Sequence, residues 1–134
     1  MMARLAAILA LWLWASAGFA ETFVVTKEDD DDGPFTPDDC ALREAVLAAN
    51  ASPEADVILV PGGTYQLSLI GPVEENASQT GDLDIHGDLE IRGDPMSPVT
   101  IVGDGTDRVI QVGTFGTVEI SQVTITGRGQ LRSM

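Results

Sequence analysis

From residue 82 onward the chain repeats one short unit: an apolar residue, a polar one, another apolar one. The units are Leu83-Asp84-Ile85, Leu89-Glu90-Ile91, Val99-Thr100-Ile101, Ile110-Gln111-Val112, Val118-Glu119-Ile120 and Val123-Thr124-Ile125. Glycines at 87, 93, 103, 105, 113, 116 and 127 punctuate them. Alternation at period two predicts strands with two side chains inward and one outward. Strands this short make poor hairpins. They suit a solenoid, where each pairs with its copies in neighbouring circuits. With three units per circuit the offsets are 27 (83 to 110), 29 (89 to 118) and 24 (99 to 123). That uneven period fits a parallel β-helix with turns of varying length. The competing fold is a β-sandwich, whose strands usually run longer.

Upstream, Thr22 to Thr26, Val57 to Val60 and Thr64 to Leu69 are rich in β-branched and apolar residues and read as strands. Residues 71–81 form a polar loop. Between the first two strands lies an acidic, turn-rich stretch ending in a helix signal. Thr36 is the expected N-cap, with Pro37 at the first helical position and Asp39 completing a capping box. The expected helix runs to about Ala49, with Leu42, Ala45, Val46 and Ala49 on one face, and Asn50 and Pro53 ending it. So short a helix needs its apolar face covered. The open end of a solenoid needs a cover too, so the helix is read as a cap over the first circuit.

The first twenty residues change the picture from fold to location. Arg4 is followed by an apolar run from Leu5 to Trp14, then small residues with Gly18 and Ala20 where a signal peptidase reads. Residues 1–20 are therefore expected to be a signal peptide, cleaved between Ala20 and Glu21. A run of ten is about half the ~20 residues that span a bilayer, which argues against a retained anchor. Removing 20 of 134 residues leaves 114, one small domain. Arg4 is the only charged residue lost, so the net charge goes from −14 to −15. That balance argues against nucleic acid and anionic membrane surfaces as partners, since both need a basic patch.

Candidate chemistry is sparse. Cys40 is the only cysteine, so no internal disulfide forms, and it reads as a small buried apolar residue. His86 is the only histidine and reads as an inert turn residue, which leaves no nucleophile–base pair and no zinc ligand set. Asp29 to Asp32 with Asp38 and Asp39, or Asp104 with Asp107, offer oxygens suited to calcium. Neither has the spacing of an established calcium loop, and a solvated charge run is the commoner outcome. Outward Asp84, Glu90 and Arg92 are candidates for a carbohydrate-cleaving face, or simply the polar side of a sheet. Asn50 and Asn76 match the glycosylation acceptor pattern by chance. No catalytic or cofactor-binding residue is assigned, and the metal question stays open.

Cys40-Ala41-Leu42-Arg43-Glu44-Ala45 resembles the helix motif of the CSLREA domain family, with alanine for serine at position 41. The continuation through AANASPEADVILVPGGTYQLSL, GDLDIHGDLEIRG, VTIVGDGTDRVIQV and VEISQVTITG is similar too. The resemblance spans about Thr22 to Gly127. It implies an exported bacterial protein, an all-β right-handed parallel β-helix with one N-terminal capping helix. It also implies that this region opens a longer chain, which ends in a surface anchor or sorting region. Members often carry a second cysteine just upstream of the motif, and here there is none. Similar proteins continue for many more circuits, whereas this chain stops at Met134. Residues 21–127 are thus expected to be cap and opening circuits, with 128–134 a polar tail. The family motif carries no catalytic residue. The expected function is a non-enzymatic, adhesin-like structural module, secreted or at the cell envelope surface. Its partners would be surface polysaccharide or another copy at the open C-terminal circuit. The alternative is the non-catalytic start of a carbohydrate-active β-helix enzyme.

Overall fold

Strands dominate the computed structural model, which describes residues 19–71, 77–105, 108–114, 116–127 and 131–133. The expected leader lies almost wholly outside the described residues. In chain order the elements are β1 (Thr22–Val24), α1 (Leu42–Ala51), β2 (Asp56–Val60), β3 (Gly63–Gln66), β4 (Leu83–Ile85) and β5 (Leu89–Gly93). Then come β6 (Val99–Val102), β7 (Ile110–Val112), β8 (Val118–Ser121), β9 (Thr124–Thr126) and β10 (Leu131–Ser133). They form three parallel sheets with no closed barrel, in the orders β1-β2-β5-β8, β3-β6-β9 and β4-β7-β10. After α1 the chain visits the first, second and third sheet in turn and then repeats that order. Among the described residues, no helix is long and apolar enough to cross a membrane.

Register follows from the apolar-polar-apolar units. Leu83 pairs with Ile110, Leu89 with Val118 and Thr100 with Thr124, at the offsets of 27, 29 and 24 residues that the pattern predicts. In-register parallel pairing stacks like on like. Phe23, Ile58, Ile91 and Ile120 form one ladder, and Tyr65, Ile101 and Ile125 another. A one-residue slip would turn each ladder out to solvent, so the apolar pattern fixes the register. Burial is not uniform along the ladders. Phe23, Ile58 and Ile91 are buried, whereas Ile120 and Ile125 are only partly so. Tight turns link the rungs. At Gly93 a β-carbon would collide with the Gln122 carbonyl, and Gln122 itself sits at φ 58°.

Three expectations change. First, the helix starts later. Thr36 to Asp39 closes on itself as a separate turn, with the Asp39 amide donating to Thr36 Oγ1 at 3.1 Å. Ala41 is the actual N-cap, and its amide donates to Glu44 Oε1 at 2.8 Å. That is half of a capping box, since alanine has no oxygen to return the bond. Second, all three residues of β4 are buried: the outward Asp84 is met by the preceding segment, where the Ser78 amide donates to its Oδ2. Third, residues 131–133, within the stretch read as a polar tail, pair with β7 as β10.

The helix face is as the spacing predicts. Leu42, Ala45, Val46 and Ala49 are buried in the core cluster. Its missing cap suggests a direct gain. Ala41 has φ −75° and ψ 160°, the extended geometry of an N-cap. Ala41→Ser should supply the absent acceptor and raise stability by about 1 kcal/mol, read as a higher urea midpoint. A lower midpoint would mean that the site has no room for the hydroxyl.

Candidate functional site

Where a sheet ends, its last strand presents backbone N–H and C=O groups with no partner. β3 and β4 are such edge strands, and the acidic stretch and α1 lie over them. Polar side chains do there what a neighbouring strand would do. Glu28 Oε2 accepts from the Thr64 amide at 2.9 Å. Asp30 Oδ2 accepts from the amides of Ser68 and Leu69, at 2.7 and 2.9 Å. Asn50 serves both polarities: it donates to the Asp84 carbonyl at 2.8 Å and accepts from the His86 amide at 3.0 Å.

Arg43 is the centre of this seam. It is fully buried, and each of its five N–H groups meets an acceptor. Nε and Nη2 bind Asp30 Oδ1 and Oδ2 in a fork, at 2.7 and 3.0 Å. Nη1 donates to the carbonyls of Ser78 and Asp82, at 3.0 and 3.3 Å, and Nη2 to that of Gly81 at 2.7 Å. A planar guanidinium suits this role, because it can hold a carboxylate on one side and carbonyls on the other. Asp30 is equally occupied, so the pair ties the acidic stretch, the helix, the segment after β3 and the segment before β4.

Two further ion-pair groups flank it. Lys27 Nζ lies 2.6 Å from Asp39, 3.0 Å from Asp31 and 3.5 Å from Glu44. Hydrogen bonds to Asp39 and then Asp31 hold its pKa well above the ordinary lysine value. The bond from Lys27, and then that from the Gly33 amide, hold Asp31 below the ordinary carboxylate value. Arg108 pairs with the buried Asp82 at 2.9 Å, joining the approaches to β7 and β4.

The sequence candidates are dispersed rather than gathered. Asp30, Asp31 and Asp39 are engaged as described, and Asp107 lies outside the described residues. Among the described residues there is no group of three or more acidic, histidine or cysteine side chains arranged to hold a metal ion. Asp84 is buried on the third sheet, where its Oδ2 accepts from the Ser78 amide. Glu90 and Arg92 lie on the first sheet, bound to each other at 2.7 Å. The three do not share a face. Cys40 is buried, and desolvation pushes its thiol up to about 11, so it is not a reactive thiolate at neutral pH. The Asn50 amide is committed to β4, and Asn76 lies outside the described residues.

Arg43 and Asp30 therefore carry the site, and sequence reasoning missed both as a pair. Removing one partner strands a buried charge. Arg43→Leu should cost about 3–5 kcal/mol, because Asp30 and three carbonyls lose their donor. Arg43→Lys should recover only part of that, having three donors for five acceptors. Urea denaturation measures both. A loss under about 1 kcal/mol for Arg43→Leu would show that the seam is not structural.

No family model, curated protein or solved structure matches this chain.

Proposed function

We propose that the chain is the N-terminal cap and opening circuits of a right-handed parallel β-helix, exported and serving as a non-enzymatic, adhesin-like surface module. The observation that carries this reading is the sealed edge. Glu28, Asp30, Arg43 and Asn50 satisfy backbone groups along the β3 and β4 edges of the second and third sheets and the segments next to them. An end closed this way stops strand addition, as a terminal cap must. The repeated order in which the chain visits the three sheets supports the solenoid. The right hand is the one that parallel crossovers almost always take. The CSLREA-like motif at 40–45 agrees, since it contains the helix start and Arg43. The dispersal of Asp84, Glu90 and Arg92 weighs against a carbohydrate-cleaving site on these strands.

The other end is built differently. β8 and β9 are edges, and Val118, Ile120, Val123 and Ile125 are only partly buried. Such an edge accepts further strands, from more circuits of a longer chain or from a second copy.

Export and the open edge are tested separately. Expressed with its own leader in a bacterial host, the protein should be recovered outside the cytoplasm with Glu21 as its first residue. Cytoplasmic retention with Met1 intact would end the export reading. The purified protein should associate end to end, more so as salt screens its net charge. Light scattering across a salt series reads this, and a monomer at every salt concentration would rule out an accepting edge.

A further inference from the structure

We infer that Asp56 is the receptor for the α-ammonium group that cleavage after Ala20 creates at Glu21. The inference rests on the export reading above. Asp56 opens β2 and is 2% exposed. Its Oδ1 accepts from the Glu21 backbone nitrogen at 2.8 Å. Its Oδ2 is buried, and no described group donates to it. The Glu21 carbonyl in turn accepts from the Val57 amide at 2.9 Å. The Glu21 backbone is thus held against the start of β2 from both sides, while its nitrogen touches a buried, half-satisfied carboxylate.

A single neutral amide is a poor partner for such a group, since buried carboxylates need charge or several donors. Signal-peptide cleavage changes the partner without moving it. Water adds across the Ala20–Glu21 peptide bond: its oxygen goes to the Ala20 carbonyl carbon, and the Glu21 nitrogen leaves as an amine. That amine takes up a proton. An atom that had one N–H then has three and a full positive charge, beside an oxygen to which no described group donates. The nearby charges favour it. Asp88, Glu90 and Glu119 line the cleft beside Asp56, and Glu54 lies with Glu21 in the next one. Arg92, two residues from Glu90, is bound to it. Removing the leader is therefore coupled to fastening β1 onto β2, so the processed protein is more stable than its precursor.

The test uses the exported protein itself. Mass spectrometry reads its first residue, and the α-amine is then acetylated near neutral pH. Lys27 is the only lysine in the chain and is ion-paired, which makes selective acetylation practical. Acetylation should lower the folded-to-unfolded ratio in urea about tenfold in the parent. In Asp56→Asn it should change the ratio by less than about twofold. An amine that gains a carboxylate has a raised folded pKa. Its stabilisation is complete below the unfolded value of about 7.7–8.0 and is lost as pH rises through the folded one. Should Asp56→Asn not fold, the parent still decides. The pH dependence of its acetylation rate should place the amine about one unit higher in the folded than in the urea-unfolded protein. A start at Glu21 with no effect of acetylation and an unshifted amine overturns the inference and leaves export standing. A different first residue overturns the export boundary and the inference together.

Discussion

A stack of parallel strands cannot end without exposing a row of backbone donors and acceptors, and that constraint shapes the first half of this chain. The edge over β3 and β4 is closed by side chains rather than by another strand. Its centre is the Arg43–Asp30 pair, where five donors meet five acceptors. Such a pair is weak evidence for net stability, since an apolar replacement of both partners can do as well. Its value here is placement. Asp30 holds two amides beyond β3, Arg43 holds three carbonyls before β4, and neither set is reachable from one element alone. The acidic stretch and the helix must dock together for either residue to be satisfied.

This accounts for part of the acidic surplus. Edge amides need acceptors, and a carboxylate supplies several with no donor of its own to leave stranded. Glu28 and Asp30 fill that role. Edge carbonyls need donors, and Arg43 and Asn50 supply them. The polarity of each capping residue follows the polarity of the backbone group it meets. The run of aspartates is therefore neither a bare solvated loop nor a gathered ligand set.

Much of this was legible and some was not, for identifiable reasons. The triplet offsets anticipate the pairing because strand register depends on a period-two apolar pattern that any window displays. The buried helix face was visible for the same reason at period 3.6. The helix start was misplaced because Thr36, Pro37 and Asp39 carry a true turn signal, which closes as its own turn before Ala41. Arg43, Glu44 and Asp84 were unreadable as buried residues, since charge normally marks the outside. Their burial depends on partners up to 39 residues away, which no local pattern encodes.

The two ends of the strand stack differ in kind, and that asymmetry bears on how it forms. At the capped end the ladders begin with buried Phe23, Tyr65 and Leu83, and the edge groups over β3 and β4 have side-chain partners. At the far end the first two of these ladders reach Ile120 and Ile125, which are only partly buried. In the β-helix reading, a newly formed circuit gains pairing on one side only, so growth needs a finished template. The capped end suits that template, because its β3 and β4 edges already have side-chain partners. It is also the end made first during synthesis and, in an exported chain, the end that emerges first. A cap that closes one edge while presenting the other forces addition in a single direction. In that reading the same polarity makes β8 and β9 the edges to which a following circuit would add.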